Sequence, residues 1–262
     1  FNSREASGNF LRNDSLTSAT LASVLICLFS SVNTYWVILS SKILPSRAAS
    51  ITSAPAEIET YIGPHALLMS SSSTLPASEI SAKMKNKSRM LIGHPFNPPL
   101  VMPLVEVVPG SFTSQEAIND AMAFYIALGK APQLIQKEVF GFVANRIQFA
   151  MLREAMYLVD EGVVPMEDVD EIVKDSIGLR WAAAGPMLGM HLGGGQGGME
   201  AFMRHLGPTM EKSWAAQGDL MLNEETIQRL AQKSRDSYGA SSIDDLAKTR
   251  DQKQMAILKT RN

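Results

Sequence analysis

The chain has 262 residues, 45% hydrophobic and 19% charged, with a formal net charge of −2. That balance is ordinary for a globular protein with room for two modest domains, and it gives no electrostatic case for nucleic acid or an anionic membrane surface. The single cysteine, Cys27, excludes an internal disulfide framework and a cysteine-based zinc site, and it suits a reducing, cytoplasmic setting.

Residues 1–50 do not read like the rest. They are rich in Ser, Leu, Thr and Asn, and their only acids are Glu5 and Asp14. The apolar run 21–29 is too short to span a bilayer, although Arg4 and Arg12 before it give a signal-peptide look. We treat this tract as unassignable, either disordered or mistranslated.

From residue 51 the pattern becomes regular α/β. Residues 56–62 read as a helix tail ended by Gly63-Pro64, and 66–69 as a short buried strand running into the serines at 70–73. A helix follows over 76–84, starting at Pro76. Residues 89–94 form an apolar strand ending on His94, and the prolines at 95, 98 and 99 force a turn. A second strand covers 102–108. Ser114 opens a helix through Leu128, with Ala117, Ile118, Ala121, Phe124 and Tyr125 at a 3.6-residue period and Gly129 as its cap. Residues 131–136 are the last strand. Strands alternating with helices predict a mainly parallel sheet, with ligands at the strand C-terminal ends, where His94 and the serines stand.

The stretch 139–160 predicts one long helix, apolar on most sides and so buried centrally in a bundle. Gly162 ends it, and Pro165 with Glu167, Asp168 and Asp170 opens the next. Residues 193–198 spell Gly-x-Gly-x-x-Gly before a helix over 199–206. No strand precedes them, so they read as a flexible joint between helices. The remainder, with a charged tail from Asp244, predicts further amphipathic helices. Trp214 and the methionines read as core or interface packing.

Glu106 lies inside a run of branched apolar residues, and a buried carboxylate must be paired or neutral. His94, twelve positions earlier at the end of the neighbouring strand, is the obvious partner. A carboxylate on one imidazole nitrogen fixes the tautomer and leaves the other nitrogen as an acid or base. The plainer alternative is a histidine satisfied by backbone and a glutamate on a solvent-facing edge. The serines are either low complexity or a ligand-facing turn. Asn145 on its own reads as satisfying first-turn backbone groups.

Three motifs sharpen this. Gly93-His94-Pro95-Phe96-Asn97-Pro98-Pro99, Pro103-Leu104-Val105-Glu106-Val107-Val108 and Gly141-Phe142-Val143-Ala144-Asn145-Arg146 occur in that order. Together they resemble the signature of the 3-hydroxyacyl-CoA dehydrogenase family, from about residue 56 to the C-terminus. Residues 178–181 and 191–199 resemble its gulonate and carnitine dehydrogenase branches more than the fatty-acyl-CoA branch. The resemblance implies an α/β fold: a partial Rossmann-like parallel sheet over 51–138, then an all-helical domain over 139–262 that binds substrate and forms a homodimer. It implies NAD as cofactor and oxidation of an L-3-hydroxy acid or 3-hydroxyacyl-CoA to the 3-keto product. His94 would take the hydroxyl proton, Glu106 would orient and balance it, and Ser73 and Asn145 would hold the substrate oxygen. Asn97 would lie near the nicotinamide, and Ser71 falls where relatives carry a cofactor-side Asn.

The family begins with a strand, a Gly-x-Gly-x-x-Gly turn and a ribose-binding acid, none of which occurs in residues 1–60. The expectation is therefore a retained intron or shifted frame at the N-terminus, poor NAD binding and low solubility. The alternative is a non-catalytic family-derived dimer or scaffold. A third reading is an enzyme tethered to a membrane by residues 19–44.

Overall fold

The computed structural model describes the backbone of residues 28–31, 34–39 and 48–260, and side chains from residue 52. The chain divides into two compact units, residues 1–146 and 147–262. The signal-peptide-like arginines, Cys27 and most of the apolar run fall outside the described residues. No described helix is long and apolar enough to cross a membrane.

The first unit is built on a six-stranded sheet whose strands lie side by side in chain order. They are β1 (Leu28–Ser31), β2 (Thr34–Leu39), β3 (Leu67–Ser70), β4 (Met90–Pro95), β5 (Leu104–Pro109) and β6 (Ala131–Leu134). Helices α1 (Ala48–Ile58), α2 (Ala77–Ile80) and α3 (Gln115–Ala127) connect them. The parallel expectation holds for β2–β3, β3–β4 and β5–β6. The β1–β2 and β4–β5 pairs are antiparallel, and the second bears on the site. The connection from β4 to β5, residues 96–103, is a proline-rich loop without the dozen or more residues that a parallel crossover needs.

Side chains alternate across the strands, and both faces are covered. Leu68, Met90, Ile92, Val108 and Phe142 share one cluster. Leu67, Met69, Leu91, Val105, Val107 and Tyr125 share the other. Gly93 belongs to the second face, where a Cβ would come within 1.9 Å of the Tyr125 hydroxyl oxygen. Ser114 caps α3, its side chain accepting from the Ala117 amide at 3.1 Å. Helix α2 is much shorter than the span 76–84, because residues from Ser81 onward turn instead of continuing.

Beyond the sheet the chain is helical: α4 (Ala144–Asp160), α5 (Met166–Val173), a π-helical segment (Lys174–Gly178), α6 (Leu179–Ala184), α7 (Pro186–Gly193), a 3₁₀ turn (Gly195–Gly197), α8 (Gly198–Ala216), α9 (Glu224–Tyr238) and α10 (Ile243–Thr260). Three expectations are corrected here. Helix α4 starts at Ala144 and not at 139, because Gly141 and Phe142 both take left-handed backbone, φ 77° and 50°. Its apolar residues Ile147, Phe149 and Leu152 are exposed instead of buried centrally. The glycine run does join two helices, but tightly. A Cβ on Gly194 would lie 1.8 Å from the Gly198 carbonyl oxygen, and one on Gly198 would lie 2.5 Å from the His191 ring. Those glycines let α7 and α8 close on one another, and α8 runs on well beyond residue 206.

Candidate functional site

His94 and Glu106 stand directly opposite in the β4–β5 ladder, so their side chains emerge on the same face. Nδ1 of His94 lies 2.9 Å from Oε2 of Glu106. Both residues are buried, His94 4% and Glu106 1% exposed, which removes the solvent-edge alternative. The second carboxylate oxygen, Oε1, accepts from the Val143 amide at 3.0 Å and the Ala144 amide at 2.9 Å. Burial pushes the Glu106 carboxyl upward. The His94 hydrogen bond and the Ala144 and Val143 amides pull it down and prevail, so it stays ionised below the ordinary carboxylate range. The rings of Phe96 and Phe142 lie 4.8 and 5.6 Å from the imidazole, measured between centroids. With Nδ1 engaged by the carboxylate, Nε2 is the nitrogen available for proton transfer.

The serine turn follows β3, next to the end of β4. Ser70 Oγ accepts from the Ser72 amide at 3.2 Å, and Ser72 Oγ from the Leu75 amide at 2.9 Å, so these two hydroxyls hold the turn's shape. Ser73 is exposed, and its carbonyl accepts from Nδ2 of Asn145 at 2.8 Å. Asn145 is thus tied to the serine turn, one residue after an amide that holds Glu106. Ser73, Asn145, Glu106 and His94 form one connected group. Ser71 is half-buried after β3, and Asn97 is exposed after β4, at the C-terminal ends of adjacent parallel strands.

Two contributors escaped the sequence reading. One is the amide pair at Val143 and Ala144, for which Gly141 was the available signal. The other is Lys130, whose ammonium donates to the carbonyls of Pro99 and of Met102 (3.1 Å), tying down the 96–103 loop. Among the described residues no group of three metal-ligating side chains occurs. The amides at Ser72 and Leu75 in the turn after β3 are bonded to serine hydroxyls, and the Gly-x-Gly-x-x-Gly spacing stands among helices.

The pattern of 3-hydroxyacyl-CoA dehydrogenase matches along most of the chain: its NAD-binding domain at residues 52–139 and its C-terminal domain at 141–237. The chain belongs to the 3-hydroxyacyl-CoA dehydrogenase family. Within that family it is 39% identical over 203 residues to an L-carnitine dehydrogenase of Pseudomonas aeruginosa, covering 78% of this chain and 63% of that protein. It is 43% identical over 205 residues to a 3-hydroxyacyl-CoA dehydrogenase of Gibberella moniliformis, covering 75% and 62%. The chain spans a little under two thirds of the length of these curated relatives. A likeness of fold alone links it to 5-formyl-3-hydroxy-2-methylpyridine 4-carboxylic acid 5-dehydrogenase, an NAD+-dependent dismutase. There the TM-score is 0.64 at 24% identity, over 88% of this chain and 74% of that one.

Proposed function

We propose that this chain is the greater part of a dehydrogenase that oxidises an L-3-hydroxy acid or a 3-hydroxyacyl-CoA to the 3-keto product. The observation that carries the proposal is the buried His94–Glu106 pair, bonded through Nδ1 and held at Oε1 by two amides. Bound NAD would supply the acceptor for the hydride of the alcohol carbon. Nε2 of His94 takes the hydroxyl proton, and the Glu106 carboxylate stabilises the imidazolium that results. Ser73 and Asn145 face the substrate oxygen, and Asn145 keeps a second N–H beyond the one it gives to the Ser73 carbonyl. Ser71 and Asn97 belong to the cofactor side. The described residues fit this end of a dinucleotide site. A pyrophosphate would need a glycine turn opening a helix after a strand, which they do not contain. From this 262-residue chain we therefore expect weak NAD binding with its substrate-side residues in place.

The family names of the relatives favour L-carnitine and 3-hydroxyacyl-CoA as substrates to try, with L-gulonate beside them. NADH formation from L-carnitine, L-gulonate and 3-hydroxybutyryl-CoA, by the native chain and by His94→Asn, is the test. Turnover that survives His94→Asn removes the assignment. NADH binding without turnover of any substrate favours the non-catalytic alternative. We also infer a homodimer through the helical unit, supported by exposed Leu179, Met187 and Trp214, and a cytoplasmic setting, supported by the single cysteine.

A further inference from the structure

The turn before α4 holds one of the stranger residues in the chain. Phe142 is fully buried yet has φ 50°, and Gly141 before it has φ 77°. Bulky residues rarely adopt left-handed backbone, and where one does the surroundings must over-determine it. Here the ring packs with Leu68, Met90, Ile92 and Val108 beneath the sheet and flanks the His94 imidazole. The two amides immediately after the left-handed pair, Val143 and Ala144, converge on the single oxygen Oε1 of Glu106.

We propose that the Gly141–Phe142 turn is the positioning element of the His94–Glu106 pair, setting the carboxylate through two backbone amides and the imidazole through the Phe142 ring. The proposal rests on the reading of that pair as the reacting dyad, and extends it to residues that touch neither substrate nor cofactor. With Oε1 fixed by two donors, the carboxylate cannot rotate away from Nδ1, and ionisation is favoured because both donors prefer an anion. Few other charges act on this carboxylate. Among the described residues, His94 on β4 is the titratable group whose charge bears on it. β6 sets neutral Gln133 in register with it, and Arg146, on the turn's own segment, points to the Phe140 carbonyl at 3.5 Å. The amides therefore add to what His94 does in holding the carboxylate ionised.

The test removes one donor and leaves the side chains. Ala144 is the first residue of α4, a position that tolerates proline, so Ala144→Pro deletes the N–H there. Replacing residue 144 by the α-hydroxy analogue of alanine, which substitutes an ester for the amide, makes the same deletion without proline's constraint. Ala144→Gly keeps the N–H and serves as the rescue. The readout is the titration of the Glu106 carboxyl carbon by NMR, assigned with Glu106→Gln. Both deletions are expected to raise the pH at which Glu106 takes up its proton by about one unit, and Ala144→Gly to leave it in place. A kcat lowered about tenfold with KM for NAD unchanged should accompany the shift. An unmoved Glu106 titration in both deletions overturns the positioning role whether or not the chain turns over substrate. A shifted titration in a protein whose His94→Asn variant is as active as native keeps the positioning role and removes the catalytic reading instead.

Discussion

Glu106→Gln isolates the charge of the dyad, because the side chain keeps its shape while one carboxylate oxygen becomes an NH2. Three hydrogen bonds decide which way the new amide points. The Val143 and Ala144 amides, at 3.0 and 2.9 Å, are donors fixed in the backbone. Turning the NH2 toward them would set a donor against two donors and cost both amides the acceptor they hold. The glutamine oxygen therefore stays on the amides, and its NH2 faces Nδ1 of His94, now forced to accept. That places the imidazole proton on Nε2, the nitrogen that should receive the substrate's hydroxyl proton. Inverting a catalytic histidine's tautomer costs about 10⁴-fold in the serine-protease triad, so we expect kcat to fall by roughly 10³-fold here. Stability should change by only about 1 kcal/mol, because all three contacts survive in some form. Initial rates of NADH formation, read beside equilibrium urea unfolding of the same preparation, separate the two effects. A glutamine variant within about threefold of native kcat, folded normally, would refute both the tautomer argument and the assignment of Glu106.

Three further outcomes are expected. Gly93→Ala drives a methyl to within 1.9 Å of the Tyr125 hydroxyl oxygen and should cost about 1–3 kcal/mol in urea unfolding, and an unchanged midpoint would mean that α3 yields freely. The Glu106 carboxyl lies lower in the folded protein than its ordinary value of 4.5. Its contribution is thus complete above that value and lost as pH falls through the folded one. Native protein should lose more stability than Glu106→Gln between neutral pH and about pH 3, and identical acid profiles would contradict this. Light scattering after size exclusion should give twice the mass of one chain, since Phe149, Leu179, Met187 and Trp214 are each more than half exposed, and a stable monomer would refute the dimer.

The glutamate at 106 in an apolar strand pointed, from sequence, to His94 as its partner, with a solvent-facing edge left open until the structure showed both residues buried. The prolines after His94 marked the end of its strand, Ser114 marked the start of α3, and the missing strand before residue 193 placed the glycine run between helices, though as a flexible joint where the structure has close packing. These are local rules, written in residue type and spacing, and they survive whatever the rest of the chain does. The short 96–103 loop set the direction of β5 against β4, and the register that puts His94 and Glu106 face to face was decided only by the tertiary structure. Packing also decided the left-handed backbone at Phe142, a residue whose intrinsic preference is the opposite and which only a fully enclosed ring could hold there. Of the four serines, the structure gave the turn-holding bonds to Ser70 and Ser72, which are buried, and left Ser73 exposed. The expected burial of α4 failed for a related reason: apolar periodicity tells which face of a helix needs covering, and only tertiary or quaternary contacts supply the cover.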